Sequence, residues 1–270
     1  MKIQWLGTAA AEGWPAVFCR CEACLKAARL GGRNIRTRAG AIVDDVLLID
    51  LNPDLYAQKL RLGLDLCLIR DVIVTHNHGD HLTPLYAEFR NPAYYGKKLP
   101  VLPIYGPSDI MDDLKPYEQY LELHAVETGD EFDTAMPHVT TLPAIHSAKL
   151  GKFYLIERDG KSILYMHDTG FQCDQALDML RKRVRRPIDL ISMDCTYGPN
   201  PLPPGYTSHM GFAENIRLKE RLIRDGVVEG HTRFVSNHFS HNGRMLYEEM
   251  CRYMAPYGIE IAYDGMTADI

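Results

Sequence analysis

Residues 72–81 have the sequence VIVTHNHGDH, in which an apolar run ends at Thr75 and is followed by three histidines and an aspartate. A buried strand that ends at a small polar residue delivers the next side chains to the edge of a sheet. Imidazole nitrogens and a carboxylate that converge at such an edge are suitable ligands for metal ions. The stretch therefore predicts a metal site.

Two sets of ligands can be distinguished within this stretch. His76 and His78 alternate on one side, as an extended segment would place them, whereas Asp80 and His81 belong to the turn before a predicted helix over residues 82–89. This division predicts two metal ions, each with open coordination positions. The alternative is a polar loop with surface histidines, but a solvated loop has no physical reason to concentrate imidazoles.

Composition limits what the chain can do. With 270 residues and 46% hydrophobic content, it can bury a large core, and no linker divides it, so we expect a single domain over residues 1–270. A net charge of -5 disfavours a general nucleic-acid surface and favours a small substrate.

We expect no membrane segment, because no apolar run approaches the roughly 18 residues of a span. The N-terminus begins with a strand-like pattern rather than a signal peptide, which predicts a cytoplasmic protein.

The seven cysteines fall into two groups. Cys19, Cys21 and Cys24 are too close together for ordinary pairwise bridging, and such a cluster in a reducing compartment more often binds metal than forms a redox pair. The other four have apolar neighbours and are expected to be small buried hydrophobic residues; they are Cys67, Cys173, Cys195 and Cys251.

The hydrophobic pattern predicts an α/β protein with two sheets covered by helices. Strands are predicted at residues 3–6, 40–49, 72–75, 101–105, 139–145, 152–157, 162–166, 190–193, 232–235 and 259–262. Helices are predicted at residues 54–62, 109–121, 174–185, 212–225 and 244–254.

Ligand-type residues recur just beyond later strands: His146, Asp168 and His238. A carboxylate can bridge two cations, whereas a histidine nitrogen normally binds only one. The resulting assignment places Asp168 between two ions. The other ligands of the first ion would be His76, His78 and His146, and those of the second ion would be Asp80, His81 and His238. Two cations about 3.5 to 4 Å apart can hold a hydroxide, which predicts hydrolysis, with Asp80 orienting that hydroxide. A site of this type accepts zinc, manganese or iron.

The segment from Thr75 to His81 resembles the T-H-x-H-x-D-H motif of the metallo-β-lactamase superfamily, and His146, Asp168 and His238 match its later motifs in order. The resemblance covers nearly the whole chain. It implies the metallo-β-lactamase fold, a four-layer αββα sandwich of two mixed sheets.

Within that superfamily, local patterns are most similar to the phosphoribosyl cyclic phosphate phosphodiesterases of bacterial phosphonate breakdown. The matching patterns lie at residues 7–15, 19–24, 193–195 and 263–266. This resemblance implies a structural zinc site in an N-terminal cysteine-rich loop (residues 19–24), with His241 as the fourth ligand beside Cys19, Cys21 and Cys24. Three thiolates and one imidazole saturate a tetrahedral zinc ion.

The same resemblance places His209 near the substrate phosphate, where it would bind phosphate or protonate the leaving oxygen. A simple helix-entry histidine is the alternative. Asp194 is expected to support a ligand histidine through a hydrogen bond. Ala9, Asn237 and residues 91–98 depart from the family pattern, which leaves the substrate open.

We therefore expect a dinuclear metal-dependent phosphodiesterase that acts on a small, cyclic phosphate diester. A thioester or lactone hydrolase on the same fold is the main alternative. A tRNA-processing nuclease would need an RNA-binding basic arm, and the one strong basic run is residues 181–186. A redox di-iron role is disfavoured by His78, since flavodiiron relatives generally have glutamate there. A non-catalytic metal-binding role and a homodimeric state remain open.

Overall fold

The computed structural model describes residues 1–172 and 174–270. It contains two seven-stranded sheets. The first has the order β14-β1-β2-β3-β4-β5-β6, formed by β1 (Lys2–Gly7), β2 (Gly40–Val43), β3 (Leu47–Ile49), β4 (Asp71–Ile73), β5 (Leu102–Gly106), β6 (Leu121–Ala125) and β14 (Thr267–Asp269). The pairs β3–β4, β4–β5 and β5–β6 are parallel and the other pairs are antiparallel, so the sheet is mixed.

The second sheet has the order β13-β12-β11-β10-β9-β8-β7. Its strands are β7 (Glu131–Asp133), β8 (His138–Pro143), β9 (Lys152–Arg158), β10 (Lys161–Met166), β11 (Leu190–Asp194), β12 (Arg233–Asn237) and β13 (Glu260–Ile261). The four strands from β10 to β13 are parallel, and the remaining pairs are antiparallel. The carboxyl ends of β10, β11 and β12 therefore meet at one edge.

Eight α-helices flank the sheets in the described part of the chain. They are α1 (Glu22–Leu30), α2 (Leu55–Leu62), α3 (Leu85–Glu88), α4 (Pro92–Tyr95), α5 (Met111–Leu114), α6 (Asp174–Arg183), α7 (Phe212–Arg224) and α8 (Tyr247–Met254). Among the described residues, no helix is both long enough and apolar enough to cross a bilayer.

Alternating side chains of the strands build a layered core. On β10, Ile163 and Tyr165 pack between the two sheets, whereas Leu164 and Met166 face a separate cluster formed with the helices. This period of two is what a strand covered on both faces requires. A third cluster packs the outer face of the first sheet against Leu55 of α2 and Leu114 of α5. The layers are helix, sheet, sheet and helix, which confirms the predicted αββα fold.

Several local predictions were wrong. Residues 40–49 form two antiparallel strands because Asp44 and Asp45 take left-handed conformations that turn the chain. The helix predicted over residues 109–121 is reduced to α5, with 3-10 turns on both sides, and β6 begins where that helix was expected to end. The helix predicted over residues 82–89 is only the four residues of α3. Strands β6, β7 and β14 and helices α1 and α4 were missed.

The scattered cysteines have mixed environments. Cys195 is buried as expected, but Cys251 is half-buried and Cys67 is exposed. Cys173 lies outside the described residues.

Candidate metal centre

The residues predicted as ligands lie just beyond the ends of four strands. The segment from His76 to His81 follows β4 of the first sheet, whereas His146, Asp168 and His238 follow β8, β10 and β12 of the second. Asp168 and His238 have positive φ angles of 49° and 59°, so the chain turns sharply where it leaves its strand. The site therefore lies where the edges of both sheets meet.

The first group of ligand-type atoms belongs to His76, His78, His146 and Asp168, and these atoms lie within 4.8 Å of one another. His146 Nε2 is 3.1 Å from His78 Nδ1. The Oδ2 atom of Asp168 is 3.6 Å from His76 Nε2 and 3.7 Å from His146 Nε2. Two imidazoles thus lie within 3.7 Å of one carboxylate oxygen, and the third, of His78, contacts His146.

The second group belongs to Asp80, His81, Asp168 and His238, again within 4.8 Å. His81 Nε2 is 3.2 Å from Asp80 Oδ2 and 3.3 Å from Asp168 Oδ2. His238 Nε2 is 2.8 Å from Asp168 Oδ1. Asp168 is therefore shared by the two groups.

The buried atoms of this cluster are suited to cations. His76 Nε2, His81 Nε2, His238 Nε2 and Asp168 Oδ1 are buried and have no partner in hydrogen-bonding geometry. Buried polar atoms without partners are costly, and a metal ion satisfies nitrogen and carboxylate lone pairs together. The donor set fits two divalent ions.

The electrostatics of the cluster lead to the same conclusion. Burial and the neighbouring His81 lower the pKa of His76 well below its ordinary value, so His76 is neutral and able to ligate. Burial alone would lower the pKa of His238, but the Asp168 carboxylate raises it to about 10. A proton on His238 therefore compensates the charge of Asp168, and a cation at the same place would displace that proton.

Asp50 is a residue of this cluster that the sequence interpretation missed. It is fully buried after β3, and its carboxylate lies 2.7 Å from His81 Nδ1 and accepts a hydrogen bond of 2.8 Å from the Thr75 amide. Because a carboxylate only accepts, His81 must carry a proton on Nδ1, which leaves Nε2 for the cluster. The available signal was an aspartate one step beyond a strand, as at Asp168.

His209 lies beside the cluster. One of its ring nitrogens lies within 4.8 Å of atoms of Asp168 and His238. Its Nδ1 donates to Asp194 Oδ2 at 2.7 Å. Burial opposes the charged form, but Asp194 more than offsets this and raises the pKa of His209.

Asp194 was expected to support a ligand histidine, and its direct partner is instead His209. It reaches His238 indirectly, through the Thr196 hydroxyl. That hydroxyl is 3.1 Å from Asp194 Oδ1 and 2.9 Å from His238 Nδ1. Thr196 therefore connects the two histidines, which no local sequence pattern indicated.

A separate cluster contains Cys19, Cys21, Cys24 and His241, whose ligand-type atoms lie within 4.8 Å of one another. Both Cys19 Sγ and Cys21 Sγ are 3.6 Å from His241 Nδ1. None of these three cysteines forms a disulfide. The backbone amide of Cys24 and the His241 side chain lower the pKa of Cys21 to about 6, which favours the thiolate that metals bind. The set could hold one tetrahedral ion.

Comparison with known proteins agrees with this geometry. A family model described as a beta-lactamase superfamily domain matches residues 46–232. Ribonuclease Z from Picosynechococcus sp. is 28% identical over 167 residues, which are 59% of this chain. The matched region covers 48% of that relative, so this chain spans about half of its length.

Two solved structures have a similar fold. A diphosphatase from the PhnP family has a TM-score of 0.74 at 23% identity and covers 99% of this chain and 97% of its own. The Zn²⁺-bound PqqB from Methylobacterium extorquens has a TM-score of 0.71 at 20% identity and covers 100% of both chains. The family match covers more than half of the sequence and confirms the predicted superfamily. The chain therefore belongs to the metallo-β-lactamase superfamily, whose members are generally hydrolases that depend on divalent metal ions.

Proposed function

We propose that the protein hydrolyses small phosphate diesters with two divalent cations. The observation that carries this proposal is the buried Asp168 carboxylate, which faces four histidines and belongs to both ligand groups. The similarity to proteins named as a diphosphatase and a ribonuclease supports chemistry at phosphorus. The local sequence patterns favour a ribosyl cyclic phosphate.

One ion would be held by His76, His78, His146 and Asp168, and the other by Asp80, His81, Asp168 and His238. Imidazole and carboxylate donors suit zinc, manganese and iron. When bound, such ions supply Lewis acidity toward the phosphoryl oxygens and make water a stronger nucleophile. We also propose that Cys19, Cys21, Cys24 and His241 hold a structural zinc ion, and that residues 1–270 form one domain.

Asp80 would orient the attacking water, and His209 would protonate the leaving oxygen. Burial raises the pKa of Asp80, but His81 and His238 more than offset this and hold it well below its ordinary value. The ionised carboxylate can accept a hydrogen bond from the attacking water. Since Asp194 holds Nδ1 of His209, Nε2 remains available to protonate the leaving oxygen.

A substrate panel tests the proposed function. Protein reconstituted with zinc or manganese should hydrolyse bis(4-nitrophenyl) phosphate and ribose 1,2-cyclic phosphate, and a chelator should abolish both activities. Lactones and S-acylglutathione should be poor substrates. Fully metal-loaded protein that cleaves a lactone or thioester but no phosphodiester would contradict the proposal.

A second candidate is an RNA phosphodiesterase, favoured by the similarity to ribonuclease Z. A precursor tRNA in the same panel distinguishes it. The net charge of -5 favours the small diester, because an RNA surface requires an excess of basic side chains.

Replacing His209 with Gln should affect substrates according to their leaving groups. An alkoxide needs a proton to leave, so we expect kcat for ribose 1,2-cyclic phosphate to fall by about 10²- to 10⁴-fold. The loss for bis(4-nitrophenyl) phosphate should be much smaller, since 4-nitrophenolate leaves without a proton. His231→Gln, at an exposed histidine, serves as the control. Equal losses for both substrates would assign His209 to phosphate binding instead.

Replacing Asp50 with Asn should weaken metal binding by about 10- to 100-fold, because it removes the negative charge beside His81 and leaves one acceptor oxygen for both Thr75 and His81. Asn tolerates the left-handed backbone at this position, where φ is 68°. Titration of the metal-free protein against a competing chelator measures the change. Asp45→Asn is the matched control, since Asp45 also has a positive φ and binds Lys2 at the surface. Unchanged affinity in Asp50→Asn would show that His81 needs no such support.

A further inference from the structure

A cavity of about 570 Å³ is lined in part by His209. Glu12, Tyr197, Asn200 and Tyr206 are among the residues that line it, and so is His241 of the cysteine cluster. Since His209 is placed to protonate a leaving oxygen, the alcohol that carries this oxygen has the cavity directly in front of it. The side chains that line the cavity should therefore determine which alcohol the protein accepts.

One wall of the cavity is aromatic. The Tyr206 ring is nearly parallel to the His209 ring, at 21° and 6.3 Å between centroids, and Tyr197 lies 5.0 Å from Tyr206. Tyrosine rings offer an apolar face together with a hydroxyl group. A compact ring with one apolar face and several hydroxyl groups, such as a furanose, matches this wall.

Other residues of the lining are polar, and Glu12 adds a negative charge. Glu12 Oε1 accepts a hydrogen bond from the buried Ser240 hydroxyl at 2.5 Å, which fixes the carboxylate. Its Oε2 has no hydrogen-bond partner among the described residues. Asn200 Nδ2 donates to the Asn242 carbonyl at 2.8 Å, which orients a second amide at the rim. No Lys or Arg is among the described residues that line the cavity.

We infer that this cavity binds the alcohol part of the diester as a neutral, hydroxylated group, and that Glu12 rejects an alcohol with a second negative charge. The inference rests on the proposed function and narrows it. Hydroxyl groups can donate to Oε2 of Glu12, whereas a second phosphate would meet a fixed carboxylate, and no Lys or Arg is among the described residues that line the cavity. Of the ribosyl cyclic phosphates, the one without a 5-phosphate should be preferred.

The test compares kcat/KM for ribose 1,2-cyclic phosphate with kcat/KM for its 5-phosphorylated form. We expect the native protein to prefer the first by roughly tenfold or more, as a like-charge contact at close range would produce. Glu12→Gln should bring this ratio toward one, and Asn200→Asp, which adds a charge to the same cavity, should increase it. Glu229→Gln, at an exposed glutamate, should leave the ratio unchanged.

Two further measurements make every outcome decisive. Hydrolysis of bis(4-nitrophenyl) phosphate reports on the proposed function, so its absence in the native protein overturns that function. If this activity is present, three results would overturn the inference but not the proposed function. They are a preference for the 5-phosphorylated substrate, no cleavage of either sugar phosphate, and a kcat/KM ratio that the variants do not change. Glu12 also lies 3.7 Å from His241 Nε2, so zinc content and Tm are measured for Glu12→Gln. If that variant loses zinc or unfolds, the kcat/KM ratio of the two substrates in Asn200→Asp decides whether the inference holds.

Discussion

Replacing Asp168 with Asn should reduce kcat/KM for bis(4-nitrophenyl) phosphate by about 10³-fold or more, the size of loss typical when a principal electrostatic group of a hydrolytic site is removed. Asp168 is the carboxylate that both ligand groups share. An amide keeps its size but loses the charge and cannot bridge two cations. Metal analysis should show fewer than two ions at the His/Asp site.

Asn is the informative substitution because Asp168 has a φ of 49°. Asn tolerates this left-handed conformation, whereas Ala would add backbone strain to the loss of the ligand. The matched control is Asp178→Asn, which removes an exposed carboxylate that pairs with Arg181 on α6. Native activity and full metal content in Asp168→Asn would contradict the dinuclear assignment.

Replacing Cys24 with Ser should prevent binding of the proposed structural zinc and lower Tm by about 6 to 12 °C, which corresponds to roughly 3 kcal/mol for a chain of this size. Cys24 is buried, and its cluster ties the segment before α1 to the segment after β12. A hydroxyl is a poor substitute for a thiolate at zinc. Calorimetry and zinc analysis measure the two effects together.

Cys67→Ser provides the control for that experiment, because Cys67 is exposed and lies outside the cysteine cluster. It should keep the native zinc content and Tm. If Cys24→Ser also kept both, the proposed zinc site would be wrong. A normal zinc content with a lowered Tm would mean that Cys24 contributes by packing alone.

The ligand cluster was accessible to sequence analysis because its signals are local. The predicted ligands lie in short segments just beyond the ends of predicted strands, so the order of the strands along the chain indicated which side chains could meet at one edge. His146, Asp168 and His238 could be grouped with His76 for this reason. Their metal-binding roles remain predictions.

The supporting residues could not be identified in the same way. Asp50 contacts His81 across 31 positions of the chain, and Thr196 contacts His238 across 42. Such contacts depend on which strands are neighbours, and the local pattern does not contain that information. Asp194 illustrates the limit, since its role in supporting a histidine was expected but its partner was not.

Strand β6 shows the same limit at the level of secondary structure. The sequence LELHA at residues 121–125 follows a segment with helical spacing; the helix predicted over residues 109–121 ended at its first residue, and no strand was predicted there. In the structure, these five residues pair with all five residues of β5. Pairing with a distant segment overrides local propensity.

The ligand groups draw on both sheets, and this has a consequence for how activity arises during synthesis. Residues 76–81 leave the ribosome early, but their partners at positions 146, 168 and 238 are translated much later. A nascent chain that stops before His238 lacks part of the coordination sphere, however well its first sheet has formed. If the proposed function is right, hydrolysis would begin only after the two sheets have docked, so a partly synthesised chain would not act on phosphate esters around it.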